Sequence, residues 1–356
     1  MKKYISKLTV LLVFFSTLFV SCSGVIFYDI RKEVALDDAK ISGDIKSIIR
    51  WTNGSTECVA VANGNIYYRS VESSVVDSKI DWSTLSKPAS NVKVEVLAAD
   101  ETNLYAATIV YEDDDDGYNT PTSRALYCYD GSSWTQLYGY SYSSDNFTLF
   151  CTNTPQNTNR HAYFRYGSTV WELSGTTALA DITAIDTTGA SDNSTTPTTG
   201  VKSCTVLGTD VYFSSAYAMT SNETASAVAT YIYYCSGDCV SYSGDGSSWT
   251  AVDLNCDTIR SMAVTYDYLL VGTDEGIAHT TMSTGIPSSG TADFSTNADT
   301  TMSSYYEVQA LLAVNPSKTE TGGTLFSAID TSGTSASLNN VGLWSYFASK
   351  GKWNRE

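Results

Sequence analysis

Histidine is almost missing from this chain: His161 and His279 are the two in 356 residues. No two of its eight cysteines form a Cys-x-x-Cys pair, so neither a zinc site nor any other metal site is expected. Basic residues are scarce as well, 21 Lys and Arg against 38 Asp and Glu, for a formal charge of −17. So acidic a chain repels phosphate backbones, which argues against nucleic acid as a partner; solubility is the plainer reading of the charge. Charged residues make up only 17%, too few for helical bundles or disordered tails. There is no phosphate-cradling Gly loop, no Gly-x-Ser-x-Gly elbow and no Cys/His pair close in sequence. On these grounds no catalytic residue and no cofactor is expected. Beyond the first twenty residues no apolar run is long enough to span a bilayer as a helix.

What is present begins at Met1. Lys2, Lys3 and Lys7 precede an apolar stretch from Leu8 to Val20, too short for a transmembrane helix and of the length of an export signal. It ends in Leu18-Phe19-Val20-Ser21-Cys22, which resembles the lipobox of bacterial lipoproteins, in a relaxed form similar to that of spirochaetes. The resemblance implies lipid attachment at Cys22: a diacylglycerol on the thiol, cleavage after Ser21 and a further acyl chain (palmitate or similar) on the freed amine. An ordinary secretory signal with an incidental cysteine is the plain alternative. Three domains follow from this: a signal peptide over 1–21, a lipid-anchored stalk with a strand that helps close the fold over 22–44, and a β domain over 45–356. Ser23-Gly24 after Cys22, in place of Asp, points by the enteric sorting rule to the outer membrane, periplasmic or surface face open. Loss of three lysines with the signal moves the net charge from −17 to −20.

Twenty-five tyrosines, with many Ser, Thr and Gly, suit short strands joined by polar turns. A phrase recurs: an aliphatic strand, a turn, then a strand with aromatic or large residues. Its copies are Val59–Ala62 with Ile66–Tyr68, Val94–Ala99 with Leu104–Ala107, Phe147–Phe150 with Ala162–Phe164, Cys204–Leu207 with Val211–Phe213, Met262–Val264 with Tyr268–Val271, and Ala310–Val314 with Leu325–Ala328. Aligned on Tyr67, Tyr105, Tyr163, Tyr212, Leu270 and Phe326, they repeat about every 52 residues, near the length of a four-stranded propeller blade. Asp130-Gly-Ser-Ser-Trp134-Thr135 and Asp245-Gly-Ser-Ser-Trp249-Thr250 are identical and 115 residues apart, or two such periods. Trp82 and Trp353 stand at matching places, each expected to open or occupy an outer strand; Phe294 is a substitute in the fifth unit. The expected fold is all-β: one β-propeller of six four-stranded blades, or seven if Gly24–Trp51 supplies part of another. Val59–Ala62, Leu97–Ala99 and Leu311–Val314 are the expected innermost strands, because a blade with two apolar faces is stable only between neighbours. Gly175–Gly200 and Thr280–Ser304 are expected to be surface loops.

Tyr231–Cys235, Ser-Gly-Asp, then Cys239–Tyr242 reads as two strands about a three-residue turn, which makes Cys235 and Cys239 the best disulfide candidate. Pairing among Cys58, Cys128, Cys151, Cys204 and Cys256 stays open. Glu112–Asp116 has alternating oxygens, faintly like the start of a calcium loop, but Ser123 stands where the closing glutamate belongs, and a solvated insertion is the preferred reading. His161 and His279 are read as structural. Tyr138-Gly-Tyr140-Ser-Tyr142 is either packed strand or contact surface.

Ser243-Gly-Asp245-Gly-Ser-Ser-Trp249 resembles the Asp-box turn of sialidases and related propellers, one residue short between Asp and Trp. In that family the box is a structural turn remote from the catalytic centre, so the resemblance implies architecture without activity, and no arginine triad can be chosen from Arg31, Arg50, Arg69, Arg124, Arg160, Arg165, Arg260 and Arg355. The whole chain thus resembles a spirochaete-type β-propeller lipoprotein. The leading expectation is a non-catalytic binding or scaffold module, held to the membrane by acyl chains on Cys22 and presenting one face of the ring to a protein or glycan ligand. A divergent sialidase-like glycan hydrolase and an assembly factor for outer-membrane proteins are the rivals.

Overall fold

The recurring phrase of aliphatic strand, turn and aromatic-rich strand becomes, in a computed structural model, antiparallel sheets of short strands, 26 of them among the described residues. The structure describes residues 41–71, 82–113, 119–142, 147–153, 159–185, 193–196, 200–222, 230–265, 268–293, 306–314, 324–331, 341–347 and 352–356. Cys22 with all of the signal and most of the stalk, the 114–118 part of the acidic run, and Phe294 lie outside them. Among the described residues no helix is long and apolar enough to cross a membrane.

Seven sheets follow one another along the chain. The first holds β1 (Ile48–Asn53), β2 (Thr56–Ala62), β3 (Ile66–Ser70) and β4 (Ser83–Leu85). The second holds β5 (Val92–Ala99), β6 (Leu104–Asp113), β7 (Asn119–Tyr129) and β8 (Trp134–Ser141). The third holds β9 (Phe147–Cys151), β10 (Ala162–Tyr166) and β11 (Thr169–Glu172); the fourth holds β12 (Ser203–Leu207) and β13 (Asp210–Ser214). The fifth holds β14 (Met219–Ser221), β15 (Ile232–Ser236), β16 (Cys239–Ser243) and β17 (Thr250–Asp253). The sixth runs β18 (Ile259–Val264), β19 (Tyr268–Thr273), β20 (Gly276–Ser283) and β21 (Ile286–Pro287), with β22 (Ala292–Asp293) also on β20. The seventh holds β23 (Tyr306–Val314), β24 (Thr324–Thr331), β25 (Gly342–Phe347) and β26 (Lys352–Arg355).

Alternation along each strand sends neighbouring side chains to opposite faces. On β6, Leu104 and Ala106 pack with Trp51 and Ala60 of the first sheet, whereas Tyr105 and Ala107 pack with Leu149 and Phe164 of the third. The same sharing recurs from the third sheet to the fourth, the fourth to the fifth, the fifth to the sixth and the sixth to the seventh. A further cluster joins Leu312, Phe326 and Leu343 of the seventh sheet to Ile48, Val59 and Val61 of the first. Polar groups seal that last joint. The Glu356 carboxylate accepts from Trp82 Nε1 at 2.7 Å, from Arg69 Nη1 at 3.3 Å and from Ser345 Oγ, while the Arg69 guanidinium lies 4.7 Å over the Phe326 ring. Each large side chain buried to this degree, such as Trp51, Tyr105 or Trp344, contributes about 1.5–3 kcal/mol.

Two of the four tryptophans expected on a strand lie on the last strand of their sheet, and two stand one residue before it. Trp134 opens β8, Trp353 lies on β26, and Trp82 and Trp249 immediately precede β4 and β17. Both Asp-Gly-Ser-Ser-Trp copies form the same turn: Asp130 Oδ1 accepts the amides of Ser132 and Ser133 at 2.8 and 2.9 Å, and Asp245 Oδ1 those of Ser247 and Ser248 at 2.9 and 2.8 Å. These donors pull both carboxyls below the usual range. Gly246 is required here, since at φ +71° a Cβ would stand 2.2 Å from the Tyr212 ring.

Four expectations need correcting. Val59–Ala62 is the second strand of its sheet, because Ile48–Asn53 forms β1 before it. The fourth sequence unit contains two sheets, because Met219–Ser221, too short to show periodicity, begins a separate one. Of the expected loop Thr280–Ser304, Thr280–Ser283 belong to β20, and Ile286–Pro287 and Ala292–Asp293 form β21 and β22. Cys235 and Cys239 are not bridged. The hairpin turns on two residues, Gly237 and Asp238, so Ser236 faces Cys239 and Cys235 faces Val240. That one-residue offset sends the two thiols to opposite faces. Cys235 Sγ is buried and donates toward Ala218 O and Ile259 O, whereas Cys239 Sγ meets Asp238 at the surface.

Candidate functional site

The first strand of every sheet contributes to one cavity of about 560 Å³. Ile48 to Arg50 come from β1, Val96 and Leu97 from β5, Phe147 to Cys151 from β9, and Ser203 and Cys204 from β12; Met219, Arg260 to Met262 and Gln309 to Leu312 complete it from β14, β18 and β23. Its walls are apolar at Ile48, Leu97, Leu149, Met262 and Leu311. Its charge is of one sign. Lys46, Arg50, Arg160, Arg165, Lys202 and Arg260 line it, and among the described residues no Asp, Glu or His does.

Thr152 and Asn153 after β9, and Arg160 before β10, add to the lining. Asn153 Nδ2 donates to Met262 O at 3.2 Å, and its own carbonyl accepts from Thr205 Oγ1 at 2.9 Å and Thr220 Oγ1 at 3.4 Å. Arg160, 5% exposed, reaches Thr52 Oγ1 at the end of β1 through Nη2. Its Nε and Nη1 have no hydrogen-bond partner among the described residues, nor does a carboxylate there lie within ion-pair distance of it. Arg50, 6% exposed, donates to Glu57 Oε1 at 3.0 Å and Ala313 O at 3.3 Å. Burial lowers the pKa of both guanidiniums, and Arg160 lowers that of Arg50 further by repulsion, while Glu57 acts against this.

Nearer the starts of the first strands the cations are better supported. Arg165 donates to Gly167 O and Thr148 Oγ1, both at 2.8 Å. Arg260 pairs with Asp274, and Lys202 Nζ sits 4.1 Å from the centre of the Tyr217 ring, whose residue is 56% exposed. Cys151 and Cys204 also line the cavity, but burial raises both thiols, so neither is a ready nucleophile at neutral pH. Six cations set against apolar walls can attract and hold a group of opposite charge.

The other sequence candidates lie elsewhere. His161 Nδ1 is 2.7 Å from Glu172 Oε1, and His279 meets the Tyr268 ring edge-on at 5.0 Å. Tyr138 and Tyr140 stack at 5.8 Å and pack on Phe164, leaving only Tyr142 of that cluster exposed. Sequence reasoning did not pick out Arg50, Arg160, Lys202 or Arg260. A signal was present: in Ile48-Ile-Arg50-Trp51 and Ile259-Arg260-Ser-Met262 a lone cation interrupts an apolar strand, and Lys202 stands just before another.

No family model matches the chain, and no curated protein does. Solved structures similar to it include the SapL1 lectin in complex with alpha methyl fucoside, at 15% identity and TM-score 0.42, covering 88% of this chain and 95% of that one. BBS1N in complex with ARL6DN is similar at 10% identity and TM-score 0.37, with 87% and 80% covered. Sqt1 from Chaetomium thermophilum follows at 12% identity and TM-score 0.34, with 80% and 70% covered.

Proposed function

We propose that the chain is a lipid-anchored β-propeller of the cell envelope, with seven sheets in a closed ring, acting as a non-catalytic binding module whose ligand occupies the cavity among the first strands. The observation that carries this reading is the cavity itself, fed by the first strand of all seven sheets and lined by six cations in an acidic chain. The cluster joining the first and seventh sheets supports ring closure, and the mutual covering of consecutive sheets supports a blade arrangement. The anchor rests on Lys2 to Cys22.

Two experiments test it. Metabolic labelling with palmitate marks the wild-type chain and not Cys22→Ala; label in both, or in neither, removes the anchor. Purified full-length protein in nonionic detergent is screened by thermal shift against sugars, sugar acids, peptides and inorganic anions, and for turnover of glycosides and esters. Saturable stabilisation without turnover is the expected result. Turnover that a point substitution abolishes would replace the module with an enzyme.

A further inference from the structure

We propose that the ligand of this cavity is an oxyanion, either a small free anion or an acidic group on a larger molecule, seated against Arg160 and Arg50. The inference rests on the reading of the cavity as the binding site and adds the chemistry of what fills it. Three observations carry it.

The first is segregation of charge. A chain with 38 acidic and 21 basic residues places six cations and, among the described residues, no carboxylate on one cavity wall. Chance placement would favour acid there. Field lines gathered between apolar walls concentrate anions at such an opening, with Lys46, Lys202 and Arg260 toward the starts of the first strands.

The second is the state of Arg160. A guanidinium 95% removed from solvent normally has its donors satisfied and its charge matched. Arg160 uses Nη2 on a neutral hydroxyl, and its Nε and Nη1 have no partner among the described residues. A planar fork held in this way matches the oxygens of a carboxylate, sulfate or phosphate group.

The third is the second guanidinium. Arg160 is close enough to Arg50 for its charge to disfavour that of Arg50; Glu57, the acid that acts most strongly on both, is already engaged by Arg50 at 3.0 Å, and Asp100 and Glu101 act on Arg160 without a direct ion pair. An anion between or beside them supplies the direct ion pair that Arg160 lacks among the described residues. Asn153, Thr52 and the strand carbonyls hold the surrounding polar groups in place without competing for that charge.

The test is calorimetric titration of the full-length protein in nonionic detergent at low salt with galacturonate, citrate, inorganic phosphate and inorganic sulfate, and with galactose as the neutral match of galacturonate. At least one anion binds, its affinity falls as salt rises, and Arg160→Gln weakens it by about tenfold or more, the loss expected for a charged hydrogen bond. Galacturonate or citrate ahead of the inorganic ions identifies an acidic group on a carbon skeleton; phosphate or sulfate ahead identifies a free anion. Arg50→Lys, which keeps charge but loses the fork, gives a second reading should Arg160→Gln fail to fold, and again weakens binding. Galactose binding as tightly as galacturonate, unaffected by either substitution, overturns the anion assignment and leaves the binding module standing. No binding of any of these, nor of any compound in the broader screen, removes both.

Discussion

At Gly272 the side chain of Val308 on the seventh sheet lies against the backbone of the sixth, and Gly272→Ala tests that joint. Gly272 lies on β19, and the methyl of an alanine would stand 2.3 Å from Ser261 Oγ, 2.5 Å from Val308 Cγ1 and 2.8 Å from Val308 Cβ. Ordinary carbon contacts lie at about 3.5–4.0 Å, so Val308 must retreat by roughly 1 Å or the sheets must part. Overpacking of this kind costs about 1–3 kcal/mol. Ser261 Oγ also donates to Val308 O at 2.9 Å across the same joint, and displacing it forfeits about 1 kcal/mol more. Against this, replacing glycine in a strand is worth about 0.5–1 kcal/mol where room exists. The net expectation is a loss of about 1–3 kcal/mol, read from urea unfolding followed by tryptophan fluorescence. Gly272→Ala with Val308→Ala recovers part of it, because the second substitution opens the space the first demands; a coupling of about 1 kcal/mol is expected for residues in contact. A single Gly272→Ala protein as stable as wild type would refute the packing of β19 on β23.

Other expectations follow from the same physical reasoning. Trp51→Ala, which empties the space between Tyr68 and Tyr129, costs about 3–5 kcal/mol in the same unfolding assay. Arg160→Met keeps the ligand-free protein as stable as wild type or raises its stability by about 1 kcal/mol, since it replaces a buried charge by an apolar chain; a large loss would make the arginine structural. Glu172 raises the pKa of His161, so this pair stabilises the fold fully below the unfolded value of 6.5 and loses that contribution as pH climbs through the raised folded value. Glu172→Gln should flatten stability against pH in the near-neutral range, and an unchanged profile would remove the pair. Denatured, unreduced protein should show Cys235 and Cys239 both alkylated by mass spectrometry; a loss of two hydrogens between them would restore the disulfide.

Much of the architecture was legible because a strand's period is written in consecutive residues. Leu104 to Ala107 and Met262 to Val264 announce themselves as copies of the recurring strand phrase, and the paired Asp-Gly-Ser-Ser-Trp segments mark the turns before β8 and β17. Two strands escaped for opposite reasons. Met219–Ser221 is too short to carry a period, and Ile48–Asn53 overlaps the end of Gly24–Trp51, which was read only as a possible part of a further blade. The thiol pair failed on one residue of turn length, which no composition argument can supply. Of the cavity only isolated traces were legible, the lone cations Arg50 and Arg260 within apolar strands. Its cations are spread from Lys46 to Arg260 and meet only after seven first strands converge, a property of the sheet arrangement rather than of any local motif.

Each apolar cluster is shared by sheets that are neighbours in the chain, save the one uniting β1 and β2 with β23 to β25. A chain emerging from its N-terminus can therefore dock each sheet on its predecessor soon after synthesis. One flank of the earliest sheet, with Val59 and Val61, waits naked until the final strands appear. That flank is the surface most in need of cover while the last strands are still being made, and the place where a half-made molecule would adhere to another.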